Sequence, residues 1–100
     1  MAKILIVEDE YSSNESYTII LRRQNHSVTS VANGIQAMEA IQEEEPDLIL
    51  LDLRMPQMTG VEFLKNIKPK TKYPNLKIIV FSNYDVQKDI DDAFKLGAHR

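Results

Sequence analysis

Cysteine is absent from this 100-residue chain, which excludes thiolate chemistry and Cys-based zinc sites and agrees with a reducing, cytoplasmic setting. No apolar run approaches the roughly 20 residues that a membrane helix needs. The start, Met1-Ala2-Lys3, leads directly into a short apolar segment with acids behind it. A secretory leader would instead show a basic start, a longer apolar stretch and a small-residue cleavage site. Strong positive charge is missing too: the net charge is −3, whereas a duplex-DNA binder shows a basic face. Lys65, Lys68, Lys70, Lys72 and Lys77 form a loose basic stretch, read as a solvated helix end and loop rather than a nucleic-acid patch. Internal repeats and low-complexity tracts are lacking. Neither nucleic acid nor a membrane is expected as a partner. A hydrophobic fraction of 43% and a charged fraction of 27% leave room for one globular domain over residues 1–100.

Three short apolar runs are present: Ile4-Leu5-Ile6-Val7, Leu48-Ile49-Leu50-Leu51 and Ile78-Ile79-Val80-Phe81. None alternates with polar residues, which fits strands buried on both faces. A weaker strand is expected near Ser27–Val31. Helical patterns fill the gaps. Ser12 with Glu15 three positions later reads as a capping box, followed by Tyr17, Ile20 and Leu21 on one helical face. Asn25 reads as a left-handed stop and Asn33-Gly34 as a turn. Ala37, Met38 and Ile41 form a second stripe, Val61, Leu64 and Ile67 a third, after Gly60. Pro69 and Pro74 bracket an expected loop. Val86, Ile90, Ala93 and Phe94 form a last stripe, with Asp85 as its cap and Gly97 as its stop. The order βαβαβαβα implies a parallel sheet with helices on both faces, an α/β fold connected right-handedly. Such sheets bind ligands beyond the carboxyl ends of their strands.

Those ends carry polar chemistry. Glu8, Asp9 and Glu10 follow the first run, Asp52 the third, and Ser82 and Asn83 the fourth. If the first and third strands are neighbours, Asp9 and Asp52 approach each other, with Glu8 beside them. Clustered carboxylates repel unless one is protonated or a cation intervenes. Mg²⁺ suits a site with few carboxylates and phosphate oxygens. Solvated acids that cap the following helices are the other reading of the same pattern.

At these residues the sequence resembles the receiver domains of response regulators. The segments that carry the resemblance are Lys3–Glu10, Asp47–Gly60 with its Asp52-Leu53-Arg54-Met55-Pro56 core, and Ile78–Ser82. Asn33-Gly34 with Ala37, and Ala93-Phe94-Lys95-Leu96-Gly97-Ala98, match as well. The resemblance runs through the whole chain in order. It implies a flavodoxin-like three-layer sheet of strand order 2-1-3-4. It also implies two-component signalling, with Asp52 accepting a phosphoryl group from a phosphohistidine of a sensor kinase or phosphotransfer protein. On this reading Glu8, Asp9, Asp52 and the backbone carbonyl of Arg54 hold Mg²⁺ (or Mn²⁺), and the Ser82 hydroxyl senses the phosphoryl group. Met55, Pro56 and Gly60 shape the adjoining loop, where proline fixes a backbone angle and glycine allows close approaches. Arg54, Asn83 and Tyr84 flank the pocket. The protein would assist its own phosphorylation and dephosphorylation without being an enzyme in the ordinary sense. The last helix is the expected switching element.

The chain departs from the family pattern after Gly97. A fifth strand and helix, roughly 20–25 residues with their loops, would normally follow, bringing a lysine and an aromatic residue that read the phosphoryl group. Neither Lys88 nor Lys95 matches that lysine, and Asn83 stands where the family usually has a smaller residue. The sequence is thus expected to be a receiver lacking its last unit, either a fragment or a chain completed by a partner. Its fourth strand would then be an edge open to self-association, with part of one sheet face uncovered. A pseudo-receiver that binds partners without phosphate is the alternative function. A haloacid-dehalogenase-like hydrolase would need a second Asp where Arg54 stands, and a flavodoxin-type cofactor binder would not place Glu8-Asp9-Glu10 at a phosphate loop. His26 and His99 have no metal-binding spacing and are expected to play ordinary packing or surface roles.

Overall fold

The three apolar runs become strands because they satisfy two apolar faces at once. The computed structural model describes residues 2–53, 58–81 and 87–98. Its elements are β1 (Lys3–Val7), α1 (Tyr11–Arg23), β2 (Ser27–Val31), α2 (Gly34–Glu43), β3 (Leu48–Asp52), α3 (Gly60–Ile67), α4 (Pro69–Lys72), β4 (Lys77–Phe81) and α5 (Gln87–Lys95). The strands form one sheet in the order β2-β1-β3-β4, and every pairing is parallel. The expected strand order is therefore the observed one.

Alternation along the strands divides the core. Leu5, Val7, Ile49, Leu51 and Ile78 pack with Ala37, Ile41, Phe63, Leu64, Ile67 and Ala93 from α2, α3 and α5. Ile4, Ile6 and Val28 pack with Leu21, Leu48 and Leu50 on the α1 side. Each fully buried side chain of this kind contributes about 1.5–3 kcal/mol relative to exposure. The α1 side thins toward β4. Ile6 is fully buried, whereas Ile79 is 44% exposed. Ile20 is also exposed, so the expected apolar face of α1 is only partly used, Leu21 being its main core contact.

Local signals differ from expectation in three places. Helix α1 starts at Tyr11, with Glu10 at its N-cap. Ser12 therefore lies inside the first turn and cannot form the expected capping box. Side-chain caps with a return bond from the third helical residue occur instead at α2 and α3. Gln36 N donates to Asn33 Oδ1 at 2.9 Å while Ala32 N donates to Gln36 Oε1 at 2.9 Å. Glu62 N donates to Thr59 Oγ1 at 3.1 Å, and that hydroxyl donates to Glu62 Oε1 at 3.2 Å. The Pro69–Pro74 stretch is not all loop. Pro69 opens the short α4, where its missing N–H costs nothing. Asn25 does adopt the left-handed conformation, at φ 67°, and Gly97 ends the last helix at φ 121°. His26 takes the expected packing role, its Nδ1 accepting from Ala2 N at 3.1 Å. Asp85, Val86 and His99 lie outside the described residues.

Candidate metal and phosphoacceptor site

The site follows from strand register. Val7 pairs with Leu51, so the next residues, Glu8 and Asp52, emerge side by side at the carboxyl end of the sheet. One carboxylate oxygen from each of Glu8, Asp9 and Asp52 lies within 4.8 Å of the others. Glu8 is 2% and Asp52 4% exposed, whereas Asp9 is exposed. Solvated capping acids do not show this burial. The second reading of the pattern thus fits neither Glu8 nor Asp52; Glu10 is exposed at the α1 N-cap position, its carboxylate accepting from Ser13 Oγ at 3.2 Å rather than from a helix N–H.

The backbone around Glu8 is pinned on several sides. Glu8 N donates to Val31 O at 3.1 Å, which extends the β1–β2 ladder. Glu10 N donates to Glu8 Oε1 at 2.9 Å, closing a tight turn over the acid. The Asn14 amide donates to Glu8 O at 3.0 Å and to Val31 O at 3.2 Å. Sequence patterns had not singled out Asn14. Its position inside a helix gives no motif, and only the three-dimensional closeness of β1, β2 and α1 reveals it.

Burial pushes the Glu8 carboxyl up to about 7. The Glu10 N–H pulls it the other way, and charge on Asp52 and Asp9, with a hydrogen bond to Asp52, adds to the rise. Three acids so close are incompatible with full ionisation unless a cation compensates. Three convergent carboxylate oxygens at an open edge fit a hard divalent ion that keeps waters and accepts phosphate oxygens. The donor set therefore fits Mg²⁺.

Gly60 seats the opposite wall. Gly60 N donates to Leu53 O at 3.1 Å, and a Cβ at this position would stand 2.8 Å from both Asp52 O and Leu53 Cα. Gly34 plays a parallel part at the start of α2, where a Cβ would meet Met58 at 2.8 Å. The described chemistry thus includes Glu8, Asp9, Asp52 and Gly60 of the expected site. Arg54, Met55, Pro56, Ser82, Asn83 and Tyr84 lie outside the described residues. Phe81 pairs with Asp52 at the end of β4, which leaves Ser82 as the next residue in the chain.

A sequence profile for the response regulator receiver domain matches residues 4–100. The chain belongs to this family. Receiver domains are regulatory phosphoacceptors of two-component systems, work with histidine kinases or phosphotransfer proteins, and bind Mg²⁺ at an acidic cluster of this kind. The chain is 34% identical to sporulation initiation phosphotransferase F of Bacillus subtilis, over 96% of its own length and 76% of that protein's. It is 36% identical to the transcriptional regulatory protein ZraR of Klebsiella oxytoca, of which it spans 21%. Among solved structures, the chemotaxis protein CheY4 of Vibrio cholerae superposes with a TM-score of 0.88 at 28% identity, covering 98% of this chain and 82% of that one. The Mn²⁺-bound response regulator Rcp1 superposes with a TM-score of 0.87 at 25% identity, covering 99% of this chain and 78% of that one. Among the described residues, no helix is long and apolar enough to cross a membrane.

Proposed function

We propose that this receiver takes a phosphoryl group onto Asp52 from a phosphohistidine of a sensor kinase or phosphotransfer protein. The observation that carries this reading is the convergence of the Glu8, Asp9 and Asp52 carboxylates within 4.8 Å at the strand ends. An Asp52 carboxylate oxygen attacks phosphorus. The P–O bond forms as the P–N bond breaks, and the imidazole nitrogen leaves with the electron pair and takes a proton. Little covalent chemistry is asked of the protein, since such transfers depend on in-line positioning and charge neutralisation. Bound Mg²⁺, held by Glu8, Asp9, Asp52 and the Arg54 carbonyl, would supply that neutralisation. The Mn²⁺-bound form of Rcp1 supports a divalent ion here.

The chain's own residues do the rest. The turn locked by Glu10 N holds Glu8 beside Asp52, and Gly60 keeps the α3 end from crowding the acceptor. Ser82 would donate a hydrogen bond to a phosphoryl oxygen, while Arg54, Asn83 and Tyr84 would tune the lifetime of the aspartyl phosphate. The added charge of about −1.5 to −2 would bias α5 as the responding element. We place this activity in the cytoplasm. The pseudo-receiver alternative gains nothing from the structure, because a pure scaffold has no need of three converging acids.

The test is incubation with Mg²⁺ and a small acyl phosphate, followed by intact-mass measurement. One added phosphoryl mass on the wild type and none on Asp52→Asn is the expected result. An unlabelled wild type, under conditions that label a complete receiver, overturns the reading.

A further inference from the structure

We propose that Asn14 is a positioning residue that presets the direction of Asp9 for cation binding; the inference rests on the acidic pocket being a metal site. Asp9 is the exposed member of the triad and follows Glu8 in an irregular stretch between β1 and α1. Left to itself it would sample many orientations, and ordering it would weaken binding by the lost freedom. The Asn14 amide restrains the backbone from which that side chain springs. Its Nδ2 donates to Glu8 O at 3.0 Å and to Val31 O at 3.2 Å. The peptide unit is planar, so fixing the Glu8 carbonyl fixes the plane that carries the Asp9 nitrogen and Cα.

Asn14 is itself held. Its backbone N–H donates to Glu10 O at 3.0 Å, and the buried Thr18 hydroxyl donates to Asn14 O at 2.8 Å. Thr18 Oγ1 also lies 3.5 Å from Asn14 Oδ1. The two carbonyls beside Nδ2 set the orientation of the amide, because Oδ1 in that place could accept from neither. Glu8 is tied separately through its own side chain, by Glu10 N at 2.9 Å. Two independent ties therefore serve two ligands: Glu10 N orients the Glu8 carboxylate, and Asn14 orients the Asp9 backbone. A side chain that merely capped α1 would bond within the helix, whereas this one reaches out to the ends of two strands.

The test is Mg²⁺ affinity by titration calorimetry, with thermal unfolding of each variant as the check on folding. Asn14→Ala is expected to bind Mg²⁺ about tenfold more weakly while remaining folded, the size seen when a partner orienting a metal ligand is removed. Asn66→Ala is the control. Asn66 makes a comparable side-chain bond, 2.8 Å from Nδ2 to Glu62 O, but on α3 away from the acids, so its Mg²⁺ affinity should match the wild type. A second pair remains decisive if Asn14→Ala does not fold: Thr18→Val should weaken binding in the same direction by a smaller factor, and Thr18→Ser, which keeps the hydroxyl, should restore it. Affinities within twofold of wild type for folded Asn14→Ala, or for Thr18→Val where Asn14→Ala does not fold, overturn the role of Asn14 alone. Failure of the wild type to bind Mg²⁺ overturns the metal reading of the pocket and the role of Asn14 with it.

Discussion

Gly60 leaves the backbone of Asp52 just enough room: a Cβ on Gly60 would stand 2.8 Å from the Asp52 carbonyl oxygen. The obstacle is backbone at the end of a paired strand, which cannot swing aside as a side-chain tip can. Gly60→Ala should therefore push α3 off the strand end, at an overpacking cost of about 1–3 kcal/mol. Denaturant unfolding should show the loss, and Mg²⁺ affinity should fall with it because Asp52 moves.

A second close approach links the start of α2 to Met58. A Cβ at Gly34 would meet Met58 Cβ, Cγ and Sδ at 2.8 Å, so Gly34→Ala should destabilise the fold by about 1 kcal/mol. In a Met58→Gly background all three of those atoms are gone, and the same change should become neutral or stabilising through helix propensity. A double-mutant cycle measures the difference as a coupling energy.

The acids make opposite demands before and after a cation binds. Asp52→Asn removes one charge from the group that repels Glu8. In cation-free buffer its melting temperature should rise by about 4–8 °C, as for a gain near 1 kcal/mol. In Mg²⁺ the order should reverse, since only the wild type gains from the ion.

The raised Glu8 carboxyl fixes the sign of a pH effect. Its value is about 7 in the fold and 4.5 ordinarily, so the folded chain holds that proton more tightly than the unfolded one. The associated stability is fully present below 4.5 and is lost as pH rises through about 7. Without divalent cations, the melting temperature of wild type should fall across that window more than that of Glu8→Gln. Mg²⁺ affinity should show the opposite trend and rise toward pH 7, because binding displaces the proton.

Much of this arrangement was legible in the sequence because it depends on chain order. Three unbroken apolar runs with acids behind two of them specify a parallel sheet with an acidic edge, and the family resemblance supplies the strand order that brings Glu8, Asp9 and Asp52 together. Asn25 and Gly97 punctuate helices because few other residues tolerate their backbone angles. The Ser12–Glu15 pattern misled because a motif does not fix where a helix begins. The tight turn of Glu8 to Glu10 started α1 earlier, at Tyr11. Asn14 was illegible for a related reason: its partners, Glu8 O and Val31 O, are defined by tertiary closeness.

The register of β1 against β3 has a consequence for assembly. Glu8, just past β1, and Asp52, at the end of β3, are separated in sequence by β2 and two helices, so they meet only after a long loop closes, an event that is costly in chain entropy and slow. An ion that needs both carboxylates therefore recognises the finished sheet and ignores earlier intermediates. By mass action, 100 times its dissociation constant of such an ion would deepen the native state by about 2.7 kcal/mol. The acidic pocket is then also a late checkpoint on whether the sheet has been built in register.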